Sequence, residues 1–187
     1  MAQVGAGPEQ VQAERSFISR SPAATLALGA KLGRLLGPGD FVGLVGELGT
    51  GKTLFVRGVA EGAGVDPGRV SSPSFAIISA YRGRLNLYHA DLFRLRDYDE
   101  VYATGFTDLP GDDGAMLVEW LDRVPRAAPG QMMLVSFENL GGQRRRLFAR
   151  AVGARYCALL EQWISRRAAA AQRSRQRARS RAPSGRG

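Results

Sequence analysis

Apolar positions along the chain switch between two periods, and each switch marks the edge of an element. "RSFIS" (Arg15–Ser19) alternates as a short strand does. Ser21 followed by Pro22 provides a helix N-cap with proline in the first helical position. Leu28, Leu32, Leu35 and Leu36 then continue at helical spacing, which predicts a helix from Pro22 to about Leu36. After the turn "GPGD", Phe41–Val45 is an apolar run too short for a helix and suited to a buried strand. A glycine-rich loop follows directly. Beyond it Leu54, Phe55, Val59 and Ala60 predict a helix from Lys52 that stops near Gly62 and Gly64.

The second half repeats the strand signal. Phe75–Tyr81 and Leu85–Ala90 read as two strands joined across "RGR", a hairpin that makes the sheet mixed rather than wholly parallel. Arg94–Phe106 is predicted helical, Met116–Trp120, Met132–Phe137 and Leu147–Val152 are three further strands, and Ala154–Ile164 is a closing helix. The Arg144–Arg146 triplet sits at a strand entrance.

Length and charge narrow this picture. A chain of 187 residues holds one domain with a proper core, expected over 14–164. No run of about 18 apolar residues and no secretory leader is present, so a cytoplasmic protein without a membrane span is expected. One cysteine, Cys157, and one histidine, His89, exclude a disulfide framework and a histidine- or cysteine-rich metal site, leaving oxygen ligands for any metal. The net charge of +9 comes largely from the segment 165–187, which carries eight arginines and no acid. Without them the body has 18 basic against 17 acidic residues. The tail lacks aromatic and branched aliphatic side chains and is read as a disordered basic extension, with a nucleic-acid arm as the functional alternative. Residues 1–13 are likewise expected to be unstructured.

The chemistry sits in "VGELGTGKTLF" (Val45–Phe55), which fits the phosphate-cradling pattern G-x-x-x-x-G-K-[ST] through Gly46, Gly51, Lys52 and Thr53. Backbone N–H groups of such a loop and of the helix after it make a fixed positive field for phosphate oxygens. Lys52 is expected to reach the terminal phosphates and the Thr53 hydroxyl to ligate Mg²⁺. The chain uses arginine 24 times and lysine only at Lys31 and Lys52, so lysine stands where a compact ammonium fits and a planar guanidinium does not. Glu47, Leu48, Gly49, Thr50 and Leu54 complete the expected nucleotide site. Such a loop also needs an acid at a neighbouring strand end, and two apolar runs end on one: "LNLYHAD" on Asp91 and "AMLVEW" on Glu119. Either can serve the metal while the other positions water. His89 lies two residues before Asp91 on the same strand face and reads as a structural hydrogen-bonding group. Ser71, Ser72 and Ser74 in "SSPSF" stand where switch proteins place a hydroxyl that senses the terminal phosphate. No N-K-x-D tetrapeptide begins at Asn86 or Asn139, which favours ATP over GTP. The fold class expected is therefore α/β, a P-loop NTPase-like single domain with a mixed β-sheet flanked by helices.

"GELGTGKT", "SSPSF", "YHADLFRL" and "LVEW", in this order, resemble the TsaE family, small P-loop ATPases required for making threonylcarbamoyladenosine (t6A) in tRNA. The match spans roughly Arg15 to Val152. It implies that Gly46–Thr53 bind the triphosphate, that Thr53 and Glu119 ligate Mg²⁺, that Asp91 supports metal or water, and that Ser74 holds the switch position. It also implies Thr25 near the adenine, nucleotide contact by an arginine among Arg144, Arg145 and Arg146, and Trp120 packed near the site. The departures are Thr50 for alanine, Ser74 for threonine, Phe93 for tyrosine, and Leu121 for the proline after Glu-Trp. The implied partner is a TsaB–TsaD complex, with indirect or direct contact to tRNA, on which the ATPase acts by resetting the assembly for repeated turnover. With no arginine finger evident in cis, weak ATP hydrolysis by the isolated chain is expected. A small-molecule kinase and a non-enzymatic nucleotide-switched binding module are the rival readings.

Overall fold

In a computed structural model of the protein the described residues are 12–109 and 113–165. Residues 1–11, expected to be unstructured, and the arginine-rich stretch from residue 166 onward lie outside them. Strand β1 (Gln12–Ser19) begins inside the segment expected to be unstructured, with Gln12 and Ala13 paired to Val152 and Ala151. After it come α1 (Pro22–Gly33), β2 (Phe41–Val45), α2 (Lys52–Gly62), β3 (Ile78–Tyr81), β4 (Asn86–Asp91), α3 (Tyr98–Ala103), β5 (Gly114–Glu119), β6 (Met132–Asn139), β7 (Arg145–Val152) and α4 (Ala154–Ile164).

The fold is α/β with a mixed sheet of seven strands in the order β1-β7-β6-β2-β5-β4-β3. The inner strands β6, β2, β5 and β4 are parallel, whereas β3, β7 and β1 run antiparallel to their neighbours. All six residues of β5 and four of five in β2 are buried, as expected of parallel strands covered on both faces. One face carries α1, α2 and α4 over a cluster that includes Leu44, Phe55, Val59, Val135 and Leu159. The other is covered by α3 and short 3-10 turns through Phe106, Leu121 and Val124.

Two helices set the position of the glycine loop. Ser21 caps α1 by accepting from the amide of Ala24 at 3.1 Å, with Pro22 as the first helical residue. α1 and α2 then cross at backbone contact. A Cβ at Gly33 would lie 2.0 Å from the carbonyl oxygen of Val59, and one at Gly58 2.2 Å from that of Leu26. Phe55 of α2 is fully buried between Phe137 and Trp163, at 5.5 and 5.9 Å between ring centroids. Truncating such a side chain costs about 3–5 kcal/mol, so the helix behind the loop is rigidly seated.

The elements differ from the sequence expectation at their ends. α1 stops at Gly33, and Leu35 and Leu36 lie in the turn after it. The helix expected over Arg94–Phe106 shrinks to Tyr98–Ala103 because Asp97 caps it, accepting from the Glu100 amide, while the Glu100 carboxylate reaches back to accept from the Arg96 amide, each at 2.9 Å. β3 starts at Ile78, and Trp120 is no longer strand, because Ile77 and Trp120 adopt left-handed backbone conformations, with φ of 62° and 60°.

Candidate functional site

β2 delivers the chain into the loop and α2 receives it. Gly46 (φ 138°) passes the β6 backbone so closely that a Cβ would sit 2.5 Å from the Phe137 carbonyl oxygen. Gly51 (φ 101°) is the N-cap of α2 and provides no side-chain acceptor, and the first turn of the helix contains no acid. Its amides therefore face outward with the positive end of the helix dipole, the arrangement that binds anions. Thr50 braces the loop by donating its hydroxyl to the Glu47 carbonyl at 2.8 Å.

Lys52 is 4% exposed, and Nζ donates to the carbonyls of Gly46 at 2.6 Å and Glu47 at 3.0 Å. The left-handed turn at Trp120 lays its indole over the ammonium, 3.7 Å from Nζ to the ring centroid. Burial pulls the Lys52 pKa below its ordinary value, while Glu119, Asp122, Asp91 and Glu47 pull it back. The ammonium is thus folded onto its own loop, within reach of whatever enters.

Asp91 and Glu119 are paired residues at the ends of β4 and β5. Thr53 Oγ1, in the first turn of α2, donates to Glu119 at 2.8 Å (Oε1) and 3.1 Å (Oε2). His89, fully buried, bonds Oε1 through Nε2 at 2.9 Å, leaving its Nδ1 as a buried atom without a hydrogen-bond partner among the described residues. Asp91 is held differently. Its Oδ2 accepts from Ser72 at 2.5 Å and Ser74 at 2.9 Å, and its Oδ1 from the Phe93 amide at 2.9 Å. The serines lie on the turn that ends at the left-handed Ile77.

Lys52, Thr53, Asp91 and Glu119 line one cavity of about 500 Å³, within the range of small-molecule sites. Its wall includes Leu48, Gly49, Gly51, Lys52, Thr53 and Leu54, together with both carboxylates. Ser72, Ser74, Phe93, Arg94 and Trp120 join them. Of the arginine triplet, Arg145 lies at the loop, with Nη1 2.5 Å from where a Gly51 Cβ would be. Arg144 donates to Leu140 within its own hairpin at 3.5 Å, and Arg146 pairs with Glu138 at 2.8 Å. Thr25 is apart from the cavity wall: it is fully buried, and its hydroxyl is bonded to Ser19 Oγ at 2.8 Å.

The residues fit a magnesium nucleotide. Among the described residues no group of three His, Cys, Asp or Glu side chains could hold a metal alone. A hydroxyl and a carboxylate beside a phosphate cradle suit a cation that keeps several waters and shares its shell with phosphates. Sequence reading missed Arg94 and the Trp120–Lys52 contact, since neither the stacking of the Arg94 guanidinium on the Phe75 ring nor the left-handed turn at Trp120 leaves a local pattern. The role of Ser72 beside Ser74 also needed the folded turn.

The family model described as threonylcarbamoyl adenosine biosynthesis protein TsaE matches residues 19–147. The protein of that name from Treponema pallidum is 35% identical over 130 residues, 70% of this chain and 96% of the relative. The Bacillus subtilis protein of the same name is 36% identical over 143 residues, 76% of this chain and 89% of the relative. The crystal structure of Bacillus subtilis YdiB superposes with a TM-score of 0.68 at 29% identity, covering 83% of this chain and 97% of that one. Among the described residues no helix is long and apolar enough to cross a membrane.

Proposed function

The chain belongs to the TsaE family of threonylcarbamoyl adenosine biosynthesis proteins, and from that premise we propose that it is a Mg²⁺-dependent ATPase supporting t6A modification of tRNA through a TsaB–TsaD-like complex. The observation that carries this reading is the bond from Thr53 to Glu119, which joins the start of the loop helix to the end of β5. It brings together a hydroxyl and a carboxylate of the kind that hold a phosphate-bound magnesium ion. Bound there, the ion would neutralise charge on the phosphate oxygens. The loop amides and Lys52 bind the phosphates, Thr53 and Glu119 hold the metal, and Asp91 orients water from a position fixed by Ser72, Ser74 and the Phe93 amide. Arg145, beside Gly51, adds positive charge along the phosphate chain. Lys52 Nζ donates to the Gly46 and Glu47 carbonyls and keeps its third N–H for a phosphate oxygen.

The test is tRNA modification by the cognate TsaB–TsaD pair, followed in single and multiple turnover with wild type, Glu119→Ala or no added protein. Wild type is expected to sustain repeated turnover, whereas Glu119→Ala supports no more than the pair alone. ATP hydrolysis without any effect on modification would leave the phosphate chemistry and remove the pathway role.

A further inference from the structure

Arg94 lines the same cavity as Lys52, Thr53, Asp91 and Glu119. Asp91 ends β4, and its Oδ1 accepts the Phe93 amide, so the chain turns sharply and sends consecutive side chains apart. Phe93 packs on Trp120, with ring centroids 5.0 Å apart. Arg94 goes the other way, onto the serine turn, where its guanidinium rests 4.2 Å from the ring centroid of Phe75.

Two features make this a resting place. Phe75 is 86% exposed, so the stacking occurs in water, where a cation–π contact is weak. Among the described residues the Arg94 guanidinium makes no ion pair, although Asp91 is three residues away and in the same cavity. Both oxygens of Asp91 are already engaged by the serines and the Phe93 amide.

Charge balance gives Arg94 a task. The cavity wall carries two carboxylates, Asp91 and Glu119, and two cations, Lys52 and Arg94. Lys52 comes from the loop, whereas Arg94 enters beside the serines. Guanidinium binds phosphate oxygens through planar, charge-assisted hydrogen bonds that outcompete exposed stacking.

We propose that Arg94 is the arginine that contacts the terminal phosphate of the bound nucleotide, parked on Phe75 until a triphosphate draws it in. It thereby distinguishes triphosphate from diphosphate. The proposal rests on the nucleotide reading above, and it concerns a surface side chain whose replacement leaves the core intact.

The experiment is calorimetric binding of Mg²⁺ with ADP, or with a non-hydrolysable ATP analogue, to wild type, Arg94→Ala, Arg94→Lys and Phe75→Ala. Arg94→Ala is expected to weaken the triphosphate about tenfold or more, with the diphosphate changed less than about twofold. Arg94→Lys recovers part of the loss, and Phe75→Ala does not weaken the triphosphate. Equal effects of Arg94→Ala on both nucleotides, or none, overturn the proposal while wild-type binding keeps the nucleotide reading. A Phe75→Ala loss as large as that of Arg94→Ala overturns the parked role of the ring. A wild type that binds neither nucleotide removes the reading and the proposal together.

Discussion

Asp91 and Glu119 are the same kind of group in nearly the same place: paired strand-end carboxylates, 2% and 3% exposed. Their partners nevertheless come from different parts of the molecule. Glu119 is joined to the loop helix by Thr53 and to the strand beside it by His89. Asp91 is joined to the turn before β3 by Ser72 and Ser74. The difference separates the roles proposed for them, which composition cannot do. A carboxylate fixed to the glycine loop's helix suits a metal, and one fixed to a strained turn suits the orientation of water. Ile77 marks that strain, because a β-branched residue at positive φ is a genuine outlier.

The sharpest way to break this contrast is to neutralise each acid in turn. Glu119→Gln is expected to lower the apparent Mg²⁺ affinity of the nucleotide complex more than about 100-fold, beyond the range for residues that only orient a ligand. Asp91→Asn is expected to change it less than about threefold while slowing hydrolysis about 10- to 100-fold. A magnesium titration of nucleotide binding, run beside a phosphate-release assay, reads both. Reversed results would exchange the two roles.

A smaller effect is expected one bond further out. His89→Gln removes the imidazole that holds Glu119 Oε1. It should cost about tenfold in Mg²⁺ affinity and about 1 kcal/mol of stability, or roughly 2–4 °C in Tm. Loss of Tm with unchanged metal affinity would make His89 a packing residue alone.

The smallest effects belong to the serines, since each can hold Asp91 when the other is gone. Ser72→Ala and Ser74→Ala singly are expected to slow hydrolysis about threefold or less, and together by more than the product of the two. Strict additivity in that cycle would mean that the two hydroxyls do not share one task.

Legibility in the sequence followed the range of the interactions. Phe41–Val45 and Ala154–Ile164 are observed with the bounds expected, and α2 starts at Lys52, because period and glycine punctuation act within a few residues. The helix over Arg94–Phe106 was overextended because its true start is the Asp97 cap on the Glu100 amide, a pattern outweighed there by helical periodicity. Gly29, Gly33, Gly58 and Gly62 are spaced in fours and visible in the sequence, but their meaning appears only when two helix backbones touch. Likewise, three adjacent arginines are equivalent until the hairpin keeps Arg144 in its turn, β7 sends Arg145 and Arg146 to opposite faces, and Arg145 meets Gly51.

By itself the sequence determined the glycine-rich loop between a strand and a helix, the order of its strands and helices, and the two strand-end acids, because each rests on local spacing and on residue chemistry. The tertiary structure alone decided which hydroxyls face which carboxylate, that Lys52 lies beneath Trp120, and that Arg94 rests on Phe75. Those contacts join residues up to 68 positions apart, from Lys52 to Trp120. Only the stacking of strands and the close crossing of α1 on α2 brings such residues together, and no short-range pattern encodes that distance.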